Sequence, residues 1–262
     1  MIRALYTSAT GMNAQETNID VISNNLANVN TTAFKKSRAD FQDLMYQYAV
    51  EPGAPTSQTS VNPSGIQIGL GVKTSAVQKV FTQGDLISTG NQLDLAIEGD
   101  GFFLILRPDG TPAYTRSGSF QLNQNGELIT SDGFLVQPAV AIPPDAMGIT
   151  IGQDGTVSVK QPNVPQPTQV GQLTPVRFPN NGGLRAMGYN LYEETQASGA
   201  PVTGIFGQVG FGRLSQGFLE SSNVSVVEQV VNMITAQRAY EASSKGITTA
   251  DEMLSQAINL KR

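Results

Sequence analysis

The sequence predicts an α+β chain in which long N- and C-terminal helices form a coiled-coil layer and a central all-β domain lies between them. Three observations predict this: seven-residue apolar repeats at both ends, period-two alternation in the middle, and Asn-Gly or Asp-Gly dipeptides that punctuate the alternation.

From about residue 3 to 29, Leu5, Met12, Ile19 and Leu26 recur at strict seven-residue spacing. A companion rail becomes apolar only at Ile22 and Val29, after Ser8 and Gln15 interrupt it. Such a helix buries too little to stand alone, because packing of the apolar face supplies most helical stability. Asn24, Asn25, Asn28 and Asn30 follow, and their side chains compete for backbone hydrogen bonds, so the helix should stop here in a defined turn. Residues 34 to about 48 place Phe41, Leu44, Met45 and Tyr48 on one side of a short amphipathic helix. Residues 51–64 are rich in Pro, Ser, Thr and Gln, a composition for an exposed loop or extended arm. Alternation over residues 65–72 then predicts a strand.

Between about residues 83 and 192 the pattern is all-β. Leu93, Leu95 and Ile97 alternate with Asp94, Ala96 and Glu98, giving one apolar face and one wetter face. Phe120 with Leu122, Ile149 with Ile151, and Val157 with Val159 repeat the motif. Asp109-Gly110, Asn125-Gly126, Asp132-Gly133 and Asp154-Gly155 punctuate it, and such dipeptides between alternating runs are the strongest short hairpin signal. A compact sheet or small barrel is expected, with a Pro-rich excursion at residues 161–167. Phe206, Val209, Phe211, Leu214 and Phe218, set among glycines, read as strands returning from it.

Residues 225–260 read as one uninterrupted helix. Ser225 and Glu228 form a capping box. Val226, Met233, Tyr240, Ile247 and Leu254 recur every seven residues beside a rail of small side chains, Ala236, Ser243, Ala250 and Ala257. One bulky and one small rail suit close helix approach. Val227, Val230, Val231 and Ile234 add a second apolar face, wider than a two-helix seam needs. At ~1.5 Å per residue the helix would be roughly 54 Å long. The N-terminal helix is its natural partner, so the two chain ends are expected to meet. The layout is then nested: residues 1–33 with 224–262 as the terminal coiled-coil domain, 34–84 with 205–223 as a connecting layer carrying the arm, and 85–204 as a β-rich outer domain.

Composition narrows the function. The net charge is -5, charged residues are only 14%, and no Lys/Arg cluster stands out, which argues against nucleic acid as a partner. With neither Cys nor His, the chain has no histidine base, thiolate zinc site or disulfide, and no cofactor is expected. The glycines complete no dinucleotide or P-loop fingerprint. No membrane span is expected, because the longest apolar run, from Phe102 to Leu106, is far too short. The first eight residues lack an apolar core, so no cleaved signal peptide is expected. Asp94, Glu98, Asp100 and Asp109 are the one acid/base set available. Asp94 and Glu98 would share a strand face, as a glycan hydrolase might require, although solvated carboxylates are the commoner case. No catalytic, cofactor or metal site is expected.

Several stretches carry a family resemblance. Ser23-Asn24-Asn25-Leu26-Ala27-Asn28-Val29-Asn30-Thr31-Thr32-Ala33-Phe34-Lys35 resembles the signature of bacterial flagellar rod and hook proteins, with Ala33 where the family often has Gly. Gln237-Arg238-Ala239-Tyr240-Glu241-Ala242-Ser243-Ser244-Lys245 resembles the signature at the other end. The stretch from Leu93 to Phe103, Tyr114-Thr115-Arg116-Ser117-Gly118-Ser119-Phe120, and the approach from Gly217 to Val224 are similar to the family's structural motifs. Chain length, the single β domain and the insertion after Asp40-Phe41-Gln42-Asp43-Leu44 look like the distal-rod branch; hook proteins are usually longer in the middle. The resemblance implies self-association into a helical filament and neighbours among other rod proteins, the hook protein and ring bushings. It also implies delivery through the flagellar type III export apparatus to a periplasmic rod. Assembly contacts are expected at Leu5, Met12, Ile19, Ile22, Asn24, Asn25, Leu26 and Asn28. At the other end they are expected at Val226, Val230, Met233, Ile234, Gln237, Arg238, Tyr240, Ile247 and Leu254. A proximal rod or hook subunit, and a secreted β-rich binding module on a coiled-coil stalk, are the alternatives.

Overall fold

The computed structural model describes residues 2–53, 63–162 and 166–259. The chain divides into two compact units, one of Met1–Ala27, Ser37–Lys79 and Ser225–Arg262 and one of Asn28–Lys36 and Val80–Val224.

The first unit contains helix α1, Ile2–Ala27, and helix α2, Val226–Asn259. They lie antiparallel in one unbroken register. A Cβ on Gly246 would come within 3.1 Å of Ser8 Oγ, one on Gly11 within 3.3 Å of Ser243 Oγ, and Asn25 bonds Gln229. Across these three pairs the number on one helix rises as fast as the other falls. Ser8, which interrupts the apolar rail in sequence, is therefore opposite Gly246, where its small side chain lets the backbones approach. Four strands complete the unit: β1 Ser37–Asp43, β2 Tyr46–Val50, β3 Ile66–Gly69 and β4 Val72–Lys79. β1 pairs antiparallel with β4 and β2 with β3, and α1 packs on β1 and β4.

Residues 37–50 are thus strands, not the short helix the apolar spacing suggested. The face that helix would have buried has nothing to cover it: Met45, Tyr46 and Tyr48 are exposed. Pairing with β4 instead runs the length of Ser37 to Asp43, with a register shift between Asp40 and Phe41. The strand expected over residues 65–72 is split between β3 and β4 at Gly71. That residue has φ +125°, and a Cβ there would lie 2.2 Å from Thr10 Oγ1. The expected arm at 51–64 falls largely, and the Pro-rich excursion at 161–167 in part, outside the described residues.

The second unit is built from short strands: β5 Leu86–Ser88, β6 Leu95–Glu98, β7 Phe103–Leu106, β8 Pro112–Thr115, β9 Phe120–Leu122, β10 Leu128–Thr130 and β11 Leu135–Gln137. There follow β12 Gly148–Ile151, β13 Thr156–Lys160, β14 Thr168–Gln172, β15 Val176–Arg177, β16 Arg185–Gly188, β17 Leu191–Glu193, β18 Val202–Thr203, β19 Arg213–Gln216 and β20 Phe218–Glu220. A seven-stranded sheet runs β16-β17-β8-β7-β11-β10-β9, a three-stranded one runs β12-β13-β14, and β6 pairs with β19. The Asx-Gly dipeptides at 109, 125, 132 and 154 sit in hairpin turns, between β7 and β8, β9 and β10, β10 and β11, and β12 and β13. Each glycine there has positive φ.

One core gathers Leu95, Ile97, Phe103, Ile105, Phe120 and neighbouring aliphatics. A second, aromatic one holds Phe102, Tyr114, Phe178 and Tyr192, with rings meeting edge to face. The face of β6 expected to be wetter is covered in part. Ala96 is fully buried and Asp94 nearly so, while Glu98 stays exposed as expected.

Candidate assembly site

The helix pair of the first unit is sealed mainly along one side of α2. Ala236 and Ala250 are buried, with Met233, Ser243, Ile247 and Leu254 half-buried, which is the bulky-and-small seam read from the sequence. Leu5, Met12, Ile19 and Leu26 are half-buried on α1, and Ile22 is buried. The start of α2 is marked by the Ser225 hydroxyl, which accepts the Glu228 N–H at 3.5 Å.

Asn25 makes the most specific contact of this pair. Its side chain donates to the Ser37 carbonyl and accepts the Ser37 N–H, both at 2.8 Å, and donates to Gln229 Oε1 at 3.3 Å. Asn25 and Gln229 are both buried, so shifting one helix against the other would leave buried amides unpaired. Asn24 is exposed on the same helix.

A second apolar stripe on α2 has no cover among the described residues. Val227 is 75%, Val231 57% and Ile234 53% exposed, with Val226 and Val230 beside them. Tyr240 is partly exposed, while Gln237 and Arg238 face solvent and Arg238 bonds Glu241 at 3.0 Å. Apart from Asn24, exposed on α1, and Asn28, in the second unit, the expected residues fall in two groups: one inside the α1–α2 seam, the other on the outward surface of α2.

In the second unit the signature segment, including half-buried Asn28, folds against the strand that precedes α2. Ala33 takes φ 57° at 1% exposure, so the left-handed turn is kept with alanine in place. Its N–H donates to the Glu220 carbonyl at 2.8 Å. The next charged residue, Lys35, is completely buried and donates through Nζ to Glu220 Oε1 at 2.6 Å and to the Thr82 carbonyl at 2.7 Å. Glu220 Oε1 also accepts the Gly84 N–H at 3.0 Å, and Oε2 accepts Arg116 Nε at 3.0 Å. The Arg116 guanidinium donates further to the carbonyls of Gly99 and Gly101, each at 2.7 Å. Burial lowers the Lys35 pKa below that of a free lysine, while the Glu220 carboxylate pulls it back up.

Asn223 adds a second joint. It accepts the Lys36 N–H at 2.7 Å and donates to the Val80 carbonyl at 2.8 Å and the Thr82 carbonyl at 3.1 Å. Three of the sequence motifs thus meet at one node: the segment ending at Lys35, the Arg116 motif, and the approach from Gly217 to Val224. The ion triad could not be read from the sequence, because Glu220 lies 185 residues from Lys35 and 104 from Arg116. The one available signal was that Lys35 and Arg116 each sit inside a motif.

The carboxylates weighed for acid/base work have local partners. Asp94 accepts from Thr89 Oγ1 at 2.6 Å and from Asn91 Nδ2 at 3.1 Å, and Glu98 accepts from Ser215 Oγ at 2.7 Å. Among the described residues, no group of three His, Cys, Asp or Glu side chains could hold a metal. Nor is any described helix long and apolar enough to cross a membrane.

Comparison with known proteins identifies the family. Residues 5–35 match the family described as Flagella basal body rod protein, 96–159 the Flagellar hook protein FlgE/F/G D1 domain, and 215–260 the Flagellar basal body rod FlgEFG protein C-terminal. The chain is 52% identical over the full length of both chains to the flagellar basal-body rod protein FlgG of Borreliella burgdorferi. It is 43% identical, again over both full lengths, to that of Bacillus subtilis. Similarity to the flagellar hook protein FlgE of Helicobacter mustelae is 44%, but covers 52% of this chain and 30% of the hook protein. Matched over the full length of both chains at 43–52% identity, the chain belongs to the family of flagellar basal-body rod proteins FlgG.

Proposed function

We propose that this chain is a structural subunit of the distal flagellar rod, polymerising into a helical shaft that transmits torque towards the hook. The observation that carries the reading is the apolar stripe of Val227, Val230, Val231 and Ile234, which the α1–α2 pair leaves uncovered. A subunit whose contact is heterologous and does not close on itself builds a filament rather than a ring. On this reading the terminal helices, residues 1–33 and 224–262, form the inner layer of the shaft. Residues 34–84 with 205–223 connect it to an outer layer of 85–204. Neighbours are other copies, other rod proteins, the hook protein and the surrounding ring bushings. The chain reaches its periplasmic position through the flagellar type III export apparatus. Its work is mechanical, not catalytic. Similarity over the whole length of rod relatives, against a third of a hook protein, favours rod over hook.

The test compares two kinds of variant. Val231→Asp places a charge on the exposed stripe and should leave the monomer's circular dichroism and melting unchanged while abolishing assemblies seen by sedimentation and microscopy. Leu26→Asp or Met233→Asp buries an unpaired charge in the seam and should abolish assembly while the β-rich unit stays folded. Rods formed by Val231→Asp at wild-type yield would overturn the assignment of that stripe.

A further inference from the structure

The hairpin between β16 and β17 turns on two residues, Tyr189 and Asn190, both with positive φ, at 54° and 57°. Such a loop prefers Asn-Gly or Gly-Gly, and a bulky residue first is a costly choice. Tyr189 is nonetheless there, 74% exposed, so its ring does not serve the core. The turn is pinned from behind. Thr115 Oγ1 donates to the Asn190 carbonyl at 2.8 Å, and Asn190 Nδ2 donates to the Thr32 carbonyl at 3.1 Å.

Tyr189 stands at the rim of a hollow of about 250 Å³ whose wall is almost all hydroxyl. Ser117, Ser119, Ser131 and Asp132 line it with Tyr189, and among the described residues none of these five side chains makes a hydrogen bond within the chain. They are accessible, while the neighbouring Thr115 and Asn190 are already occupied. The lining selects a ligand class. It contains no Lys or Arg, so a phosphate or other anion has no counter-charge. Its single carboxylate is too little for a metal ion, and the sparse apolar wall suits no lipid tail. Hydroxyls that both donate and accept, one carboxylate acceptor and an exposed aromatic ring match a polyhydroxylated ring that stacks on one face and hydrogen-bonds at its edge. The volume is below the ~300 Å³ at which drug-sized pockets begin, which suits one or two such rings.

We propose that this hollow is a saccharide-binding site, in which a sugar ring of an oligosaccharide stacks on Tyr189 and bonds to Ser117, Ser119, Ser131 and Asp132. The site lies wholly within the β-rich unit and does not depend on the assembly reading.

The experiment is a titration of the full-length chain with chitotetraose and, separately, cellotetraose, followed by saturation-transfer NMR and calorimetry. Saturable binding of either is expected. A preference for chitotetraose would assign the site to acetamido sugars, and equal binding to the shared pyranose ring. Tyr189→Asn removes the ring but places a residue that favours positive φ, so the fold should be kept. It should weaken binding by at least about tenfold, and Asp132→Asn should weaken it by a similar factor. Absence of saturable binding to both oligosaccharides, or wild-type affinity in a folded Tyr189→Asn, would overturn the proposal.

Discussion

Replacing Glu220 by Gln isolates what the buried triad contributes. The carboxylate accepts from Lys35 and Gly84 through one oxygen and from Arg116 through the other, and none of the three side chains is more than slightly exposed. Glutamine has nearly the same shape but keeps only one acceptor. Its NH₂ must point either at Lys35 and the Gly84 N–H or at Arg116, and in both cases donor meets donor. Two buried cations also lose their counter-charge. Removing one member of a buried ion pair typically costs about 3–5 kcal/mol. Against a total of about 5–15 kcal/mol for a domain, that is about a fifth of the stability or more. At about 2–4 °C per kcal/mol for a domain of this size, the midpoint should fall by about 6–20 °C. Urea unfolding followed by near-UV circular dichroism reads the relevant unit, since Tyr114 and Tyr192 are buried in it. Lys35→Met alone leaves Glu220 paired with Arg116 and should cost less. In the double variant the two changes should couple by at least about 1.5 kcal/mol. A Glu220→Gln protein within about 1 kcal/mol of wild type, or additive effects in the double variant, would refute the view that the triad fastens residues 28–36 to the β-rich unit.

Two further outcomes follow from the same unit. Ala33→Gly relieves a left-handed conformation worth about 1–2 kcal/mol, against about 0.5–1 kcal/mol of added chain entropy, so it should stabilise by up to about 1 kcal/mol in the same urea assay. Burial and the Glu194 carboxylate push the Tyr114 hydroxyl up to about 12 from its ordinary 10, and burial with the Glu220 carboxylate raises Tyr192 as well. The unfolded chain therefore releases these protons first. Their stabilising share is complete below about pH 10 and is lost as pH rises from there through 12, so alkaline titration should unfold the β-rich unit cooperatively. Phenolate absorbance should show Tyr114 and Tyr192 ionising together with the loss of near-UV dichroism, not before it.

Periodic features were legible. The seam of α2 follows from its seven-residue rails, and the four hairpins follow from Asx-Gly turns, because both signals are local and repeat within a few residues. Residues 34–48 were misread as helix because Phe41, Leu44, Met45 and Tyr48 happen to fall at helical spacing, whereas the pairing with β4 that decides the matter begins 29 residues further on, at Val72. Ser8 looked like a break in the rail because only the opposite helix shows that Gly246 faces it. Buried Lys35, Arg116 and Glu220 were invisible for a different reason: composition treats charges as surface, and nothing in a single sequence states which distant pair neutralises which.

The joint made by Asn223 fastens residues 36, 80 and 82 at one point, and Ala33 meets Glu220 beside it. Three of the four points at which the chain enters or leaves the β-rich unit, at 36/37, 79/80 and 224/225, lie beside this knot, so the spacing of those three chain ends is set there. Strands could be added to the far side without altering the fixture, much as attachments of different size share one mount. The hook protein, of which this chain covers only 30% while matching at 44% identity, is the kind of relative such a mount allows.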